Sequence, residues 1–215
     1  MTDVPGLREL KKQRTRKLIA EAAQGLFFQH GFDAVTVTQI AAKAEVSVKT
    51  VFNYFGSKED LFFDQDEPMV ELFREGIRNR PAGTSLLEGI YQLSMSTSAD
   101  IPEQEFAKIE RFGEILRSTP ALVAKYRQLQ MKYKDLLVDI MVEEGHGETS
   151  DPKLQLTCAM LMGAINAGVD LLPHMTPRSR EQHREQLRMT IDLLSDGFAK
   201  FGQKPDRPAE TRSVT

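Results

Sequence analysis

Apolar residues along this chain recur three and four positions apart far more often than they alternate, so the pattern is that of amphipathic helices rather than strands. Ten prolines punctuate it, and the stretches between them predict helices over 8–30, 37–44, 48–54, 58–79, 84–98, 103–117, 120–144, 152–172 and 177–202. Three prolines follow a good capping residue, Thr119-Pro120, Asp151-Pro152 and Thr176-Pro177, which marks three helix starts. Gly145-His146-Gly147 opens a loop, and the polar, proline-containing stretch 204–215 is expected to be disordered. The expected fold is all-α, with about nine helices and no internal repeat.

Between residues 36 and 55 the pattern tightens into two short helices around a sharp turn. Thr36 and Gln39 have the spacing of a capping box, which satisfies free amides at the start of the first helix, and Ser47 is placed to cap the second. Ile40, Ala41, Ala44, Val46 and Val51 fall where two crossed helices touch, with Ala41 small enough for close approach. This is a helix-turn-helix, and its second helix would present Val48, Lys49 and Thr50 to the major groove.

Composition adds constraints. With 215 residues, 40% of them hydrophobic and 27% charged, the chain is an ordinary globular protein large enough for a head and a body. Its net charge of -3 is unevenly spread: residues 1–58 carry nine Lys and Arg against five Asp and Glu, so a basic end precedes an acidic remainder. Cys158 is the only cysteine, so no intramolecular disulfide can form, and among apolar neighbours it reads as buried and inert rather than as a redox sensor. His30, His146, His174 and His183 lack metal-site spacing, so no metal or cofactor is expected. The longest apolar stretch, 158–172, is interrupted by Asn166 and Asp170, and the amino terminus is polar; a cytoplasmic protein without a membrane span is expected.

Gly31-Phe32, Thr36-Val37, Ile40-Ala41, Val46-Ser47, Phe55, Ser57-Lys58-Glu59 and Leu61 together resemble the head of the TetR family of transcriptional regulators, over roughly the first 65 residues. That resemblance implies phosphate contacts from Thr36, Tyr54 and Lys58, and base or phosphate contacts from Lys49, Thr50 and Asn53. Thr38, Ser47 and Val48 complete the expected DNA-binding set. Two positions depart from the family pattern. Phe52 stands where a tyrosine is common, leaving the ring to pack without a hydroxyl for phosphate. Glu45 replaces the turn glycine, at a cost of about 1–2 kcal/mol if a left-handed conformation is required. The basic run Arg8, Lys11, Lys12, Arg14, Arg16 and Lys17 could follow the DNA backbone, enter a minor groove, or stay solvated.

The resemblance further implies a homodimer on a palindromic operator of double-stranded DNA, released by a small-molecule effector. Ala159, Gly163, Ala164, Ala167 and Gly168 give the helix from Pro152 a small-residue face, and Leu187, Ile191, Leu194, Phe198 and Phe201 stripe the last helix, so the two form a patch able to pair with its copy. For the effector the expected residues are Tyr91, Met95, Phe106, Glu110, Phe112, Tyr126, Gln130, Met131, Asn166 and Asp170. Residues 1–57 are thus expected to be the DNA-binding domain and 58–203 the effector-binding and dimerisation domain, with a long helix from about Lys58 linking them. An activator, or a regulator answering to a protein, fits the same pattern. An all-α enzyme does not, since no nucleophile, metal cluster or phosphate loop is evident.

Overall fold

The computed structural model describes residues 6–64, 66–170 and 177–195, and within these the side chains of 7, 9, 66–68 and 165–170 lie outside the description. Among the described residues there are α-helices and one short 3-10 turn, and no strand. The first four helices are α1 (Leu7–His30), α2 (Val37–Lys43), α3 (Val48–Tyr54) and α4 (Lys58–Phe62). After them come α5 (Asp66–Arg78), α6 (Leu86–Ala99), the 3-10 turn Glu103–Glu105, α7 (Phe106–Ser118), α8 (Pro120–Glu143), α9 (Pro152–Asp170) and α10 (Arg180–Ser195).

The amino-terminal helix is amphipathic only in its second half. Ile19, Ala22, Ala23 and Phe27 are buried at helical spacing, whereas Arg8, Leu10, Lys11, Lys12 and Arg14 are all exposed. Gly31, at φ 81°, ends α1 and donates its amide to the Phe27 carbonyl, a conformation that costs a glycine little. Phe32 and Val35 then fold back beneath Phe27, and Ile40, Ala41, Val51, Phe55 and Leu61 close the first core. Ile115, Leu116 and Leu122 from α7 and α8 join that same core.

A second core gathers Ile77, Ile90, Leu137, Val138, Ile140, Leu154, Cys158 and Leu161. Helix α8 serves both: its Leu122 end lies in the first core and its Leu136–Met141 end in the second. At 24 residues it is about 36 Å long, enough to bridge them. Arg80 ties the turn after α5 to the far end of α8, donating to the carbonyls of Ile77 and Thr84 and to the Glu144 carboxylate.

The helix expected over 58–79 is not continuous. It stops at Phe62, with Phe63 at φ -101° and ψ 32°, and resumes at Asp66. Aromatic packing accounts for the break: Phe62 stacks on Phe112 at 4.5 Å between ring centroids, and Phe63 lies parallel to Tyr126 at 6.1 Å. A continuous helix would swing successive side chains about 100° apart, whereas here both rings, half-buried, pack against α7 and α8. The break raises the helix number from the nine expected to ten among the described residues. The stretch expected as a helix over 103–117 begins as the 3-10 turn, and the last helix starts at Arg180 rather than 177. Asp151 caps α9 through the Lys153 amide at 2.8 Å, but Thr119 makes no side-chain cap and its side chain is buried instead. Thr176, Phe198, Phe201 and the tail 204–215 lie outside the described residues.

Candidate nucleic-acid interface

Each of the three short helices α2, α3 and α4 starts on a hydroxyl cap. The Thr36 hydroxyl accepts from the Gln39 amide at 3.3 Å, while the Gln39 side chain takes the Thr36 amide at 2.8 Å, completing the expected capping box. Ser47 accepts from the Thr50 amide at 3.0 Å, and its hydroxyl lies 2.8 Å from that of Thr50. Ser57 accepts from the Asp60 amide at 3.1 Å. Helices of seven and five residues are too short to stand alone, so these caps and the core beneath them hold them in shape.

Between the first two, the turn keeps its left-handed residue: Glu45 adopts φ 56°. The turn is therefore not remodelled around the missing glycine, and the side chain carries the strain.

Helix α3 buries Val51 completely and turns Lys49, Phe52 and Asn53 outward, at i, i+3 and i+4. Thr36, Thr38 and Ser47 are exposed as well, and Val48, Thr50, Tyr54 and Lys58 are half-buried. The expected residues thus mark the starts of α2, α3 and α4 and the last turn of α3. Phe52 is 52% exposed, so the ring does not pack, contrary to expectation. An exposed aromatic between a cation and an amide is chemistry suited to a thymine methyl or a sugar face.

Lys58 extends its ammonium over the Phe32 ring, 4.2 Å from the centroid. Burial pushes its pKa below the ordinary lysine value, opposed by Asp33 and Glu59. The ring holds a positive charge at the start of α4, where the unpaired amides of a helix N-terminus also favour an anion.

One member of the basic run behaves unlike the rest. Arg16 turns inward, donating to the Tyr54 carbonyl at 3.1 Å, resting over the Phe55 ring at 4.5 Å and pairing with Asp64 at 3.1 Å. By its place in the basic run alone it belongs with the solvated or DNA-tracking cations. Nothing in its spacing announces a partner 38 residues away.

The residues expected around an effector are dispersed. Phe112 and Tyr126 lie at the junction with the head, stacked on Phe62 and Phe63. Phe106 is buried, Met131 is 55% exposed, and Glu110 pairs with Arg178 at 2.8 Å. Tyr91, Met95 and Gln130 are half-buried, and the side chains of Asn166 and Asp170 lie outside the described residues. An open cleft of about 490 Å³ between α5 and α8, lined by Val70, Glu71, Arg74, Lys132, Asp135, Leu136 and Asp139, contains none of the ten. Cys158 is buried, and desolvation raises its thiol pKa against the pull of Lys134, which keeps it protonated and unreactive. Among the described residues no helix is long and apolar enough to cross a membrane, and no cluster of His, Cys, Asp or Glu could hold a metal ion.

Residues 19–64 match the family described as bacterial regulatory proteins, tetR family. The HTH-type transcriptional regulator TcmR of Streptomyces glaucescens is 30% identical over 127 residues, covering 57% of this chain and 56% of that one. The match thus spans little more than half of that relative's length. The putative mycofactocin biosynthesis transcriptional regulator MftR of Mycobacterium tuberculosis is 20% identical over 194 residues, covering 90% and 96%. Among solved structures, the Thermus thermophilus FadR, a TetR-family transcriptional repressor in complex with lauroyl-CoA, superimposes with a TM-score of 0.57 at 24% identity, covering 90% of this chain and 98% of that one. That likeness establishes the fold over most of the chain.

Proposed function

We propose, from the match of residues 19–64 to the family described as bacterial regulatory proteins, tetR family, that the protein is a sequence-specific, DNA-binding transcriptional regulator. The reading is of a repressor that leaves a palindromic operator when a small molecule binds its body. One observation carries the DNA-binding part: α3 starts on a Ser47 cap, buries Val51 and turns Lys49, Phe52 and Asn53 outward. Such a helix reads base edges from one face while its other face is fixed by a core. Thr36, Thr38, Tyr54 and Lys58 would take the phosphates on either side, and Ser47, Val48, Lys49, Thr50 and Asn53 the groove. The division of labour is a head to residue 57 and a body beyond it, acting by binding rather than by catalysis, in the cytoplasm.

A palindrome calls for two heads. On α9, Leu156 and Met160 are 63% and 49% exposed on the side that carries Ala159 and Gly163, and on α10 Met189 and Leu193 are 46% and 41% exposed. Two helices with apolar faces open to water suit pairing with a second copy as a four-helix bundle. The effector would enter the body, with Tyr91, Met95, Glu110, Phe112, Tyr126 and Gln130 the half-buried members of the expected set.

The test is selection of genomic fragments by the purified protein at about 150 mM salt, where non-specific binding is suppressed. A shared palindrome is expected, with one dimer per site by light scattering. A collection of fragments with no common motif, in the absence of any added small molecule, would overturn the reading.

A further inference from the structure

The carbonyl groups in the last turn of a helix have no intrahelical partner. At the end of α3 one of them, that of Tyr54, is taken by the Arg16 guanidinium at 3.1 Å. The same group lies over the Phe55 ring at 4.5 Å and pairs through Nε with Asp64, whose side chain is 14% exposed. A cation there also complements the negative end of the helix. Planar and forked, guanidinium can serve a carbonyl, a ring face and a carboxylate at once; an ammonium cannot.

Asp64 sits in the break between α4 and α5, next to Phe63. The Phe63 ring in turn meets Phe112 at 6.0 Å and Tyr126 at 6.1 Å, on α7 and α8. The break is therefore held from two sides, by the body through Phe63 and by the head through Asp64 and Arg16.

We propose that Arg16 is the positioning residue of the reading head: gripping Tyr54 and Asp64 together, it sets the orientation of α3 against the α4–α5 break and links that orientation to the body. This rests on α3 being the DNA-contacting helix. Arg16 makes no contact with DNA in this role. Its effect on affinity comes through where it holds Lys49 and Asn53.

The test compares the wild-type protein with Arg16→Lys, Asp64→Asn, the double variant and Lys49→Ala, on the fragments the wild type selects, across a salt series, with a melting curve for each. Asp64→Asn removes a negative charge near the DNA face, so simple electrostatics predicts tighter binding. Positioning predicts the reverse: Asp64→Asn and Arg16→Lys each weaken binding about tenfold, the order of a charge-assisted hydrogen bond. The salt slope should stay at the wild-type value, because no phosphate contact is lost. The double variant should bind no more weakly than either single one, because both remove the same link. Unchanged or tighter binding by Asp64→Asn would overturn the proposal, as would full affinity in Arg16→Lys or a loss that only tracks a lowered melting temperature. A wild type that selects no common sequence sinks the DNA reading and the positioning role with it. A wild type that binds, weakens on Lys49→Ala and tolerates Asp64→Asn sinks the positioning role alone.

Discussion

The head and the body of this protein balance local and long-range ties differently. In the head and where it meets the body, helices of seven, seven and five residues are fixed by hydroxyls reaching three residues along the chain, from Thr36 to Gln39, Ser47 to Thr50 and Ser57 to Asp60. In the body, helices up to 24 residues long are tied by charged groups far apart in sequence, Arg78 to Glu143, Arg80 to Glu144 and Arg178 to Glu110. Short helices cannot persist without local help, and long ones, once packed, need little of it. Ser85, Asp151 and Ser179 cap body helices as well, but there the long-range ion pairs add a second kind of tie, whereas the shortest helices depend on their caps most.

If the head is a unit with its own core, emptying that core should cost it most. Phe27 is fully buried and touches Phe32 and Phe62 at 5.1 and 5.9 Å between centroids. Phe27→Ala is expected to cost about 3–5 kcal/mol. Amide exchange should show α1 to α4 opening before the α8–α9 pair. Simultaneous loss of protection throughout would show that the bridge formed by α8 makes head and body one cooperative unit, and the contrast drawn above would fail.

The next effect separates function from stability within the head. Lys49 is exposed and caps nothing, so Lys49→Ala should leave the melting temperature unchanged while weakening binding to the selected DNA by about 1–3 kcal/mol. A lowered melting temperature with intact binding would place Lys49 among the structural residues.

The same contrast explains what could be read in advance. The capping box, the Ser47 cap, the buried Ile40, Ala41 and Val51 and the limits of α2 and α3 all follow from spacings of a few residues, and the structure bears them out within a residue. The continuous 58–79 helix failed because its break depends on Phe112 and Tyr126, about 50 and 63 residues further on, which periodicity cannot see. Arg16 groups with its basic neighbours in sequence for the same reason: charge is visible there, but the direction a side chain takes is not. Phe52 misled differently, since an aromatic on a short helix is ordinarily core, and only the position of Val51 inside forces its neighbour out. The effector set combined apolar residues with polar ones such as Glu110, Gln130, Asn166 and Asp170, and sequence alone does not separate a packed core or an interhelical hydrogen bond from the lining of a cavity.

Two substitutions in the turn should move stability in opposite directions. Ser47→Ala removes the cap of α3 and is expected to cost about 1 kcal/mol. Glu45→Gly relieves the positive φ but frees the unfolded chain, for a net gain of about 0.5 kcal/mol. Urea denaturation curves resolve both. A loss on Glu45→Gly would mean that the glutamate side chain stabilises the turn by more than its strain costs.

The smallest expected effect lies where the two regions meet. Asp60 on α4 pairs with Lys125 on α8 at 2.6 Å, a local and a long-range tie on one carboxylate, since the same group is hydrogen-bonded to Ser57. Burial alone would raise its pKa, but Lys125 and Ser57 outweigh it and hold the carboxyl below the ordinary aspartate value of 3.8. A carboxyl more acidic in the folded chain than in the unfolded one contributes stability that is fully present above the unfolded value and lost as pH falls through the folded one. Both partners are partly exposed, with side chains 28% and 32% accessible, so solvent screening limits the pair to about 0.5 kcal/mol. Asp60→Asn should therefore melt slightly below the wild type at neutral pH, and the two curves should converge as pH drops below about 4. Lys125→Ala should shrink that gap at neutral pH, leaving only what Ser57 contributes. A gap that persists unchanged into acid would mean that Asp60 holds the junction by packing, not by charge, alongside the aliphatic and aromatic contacts of α7 and α8.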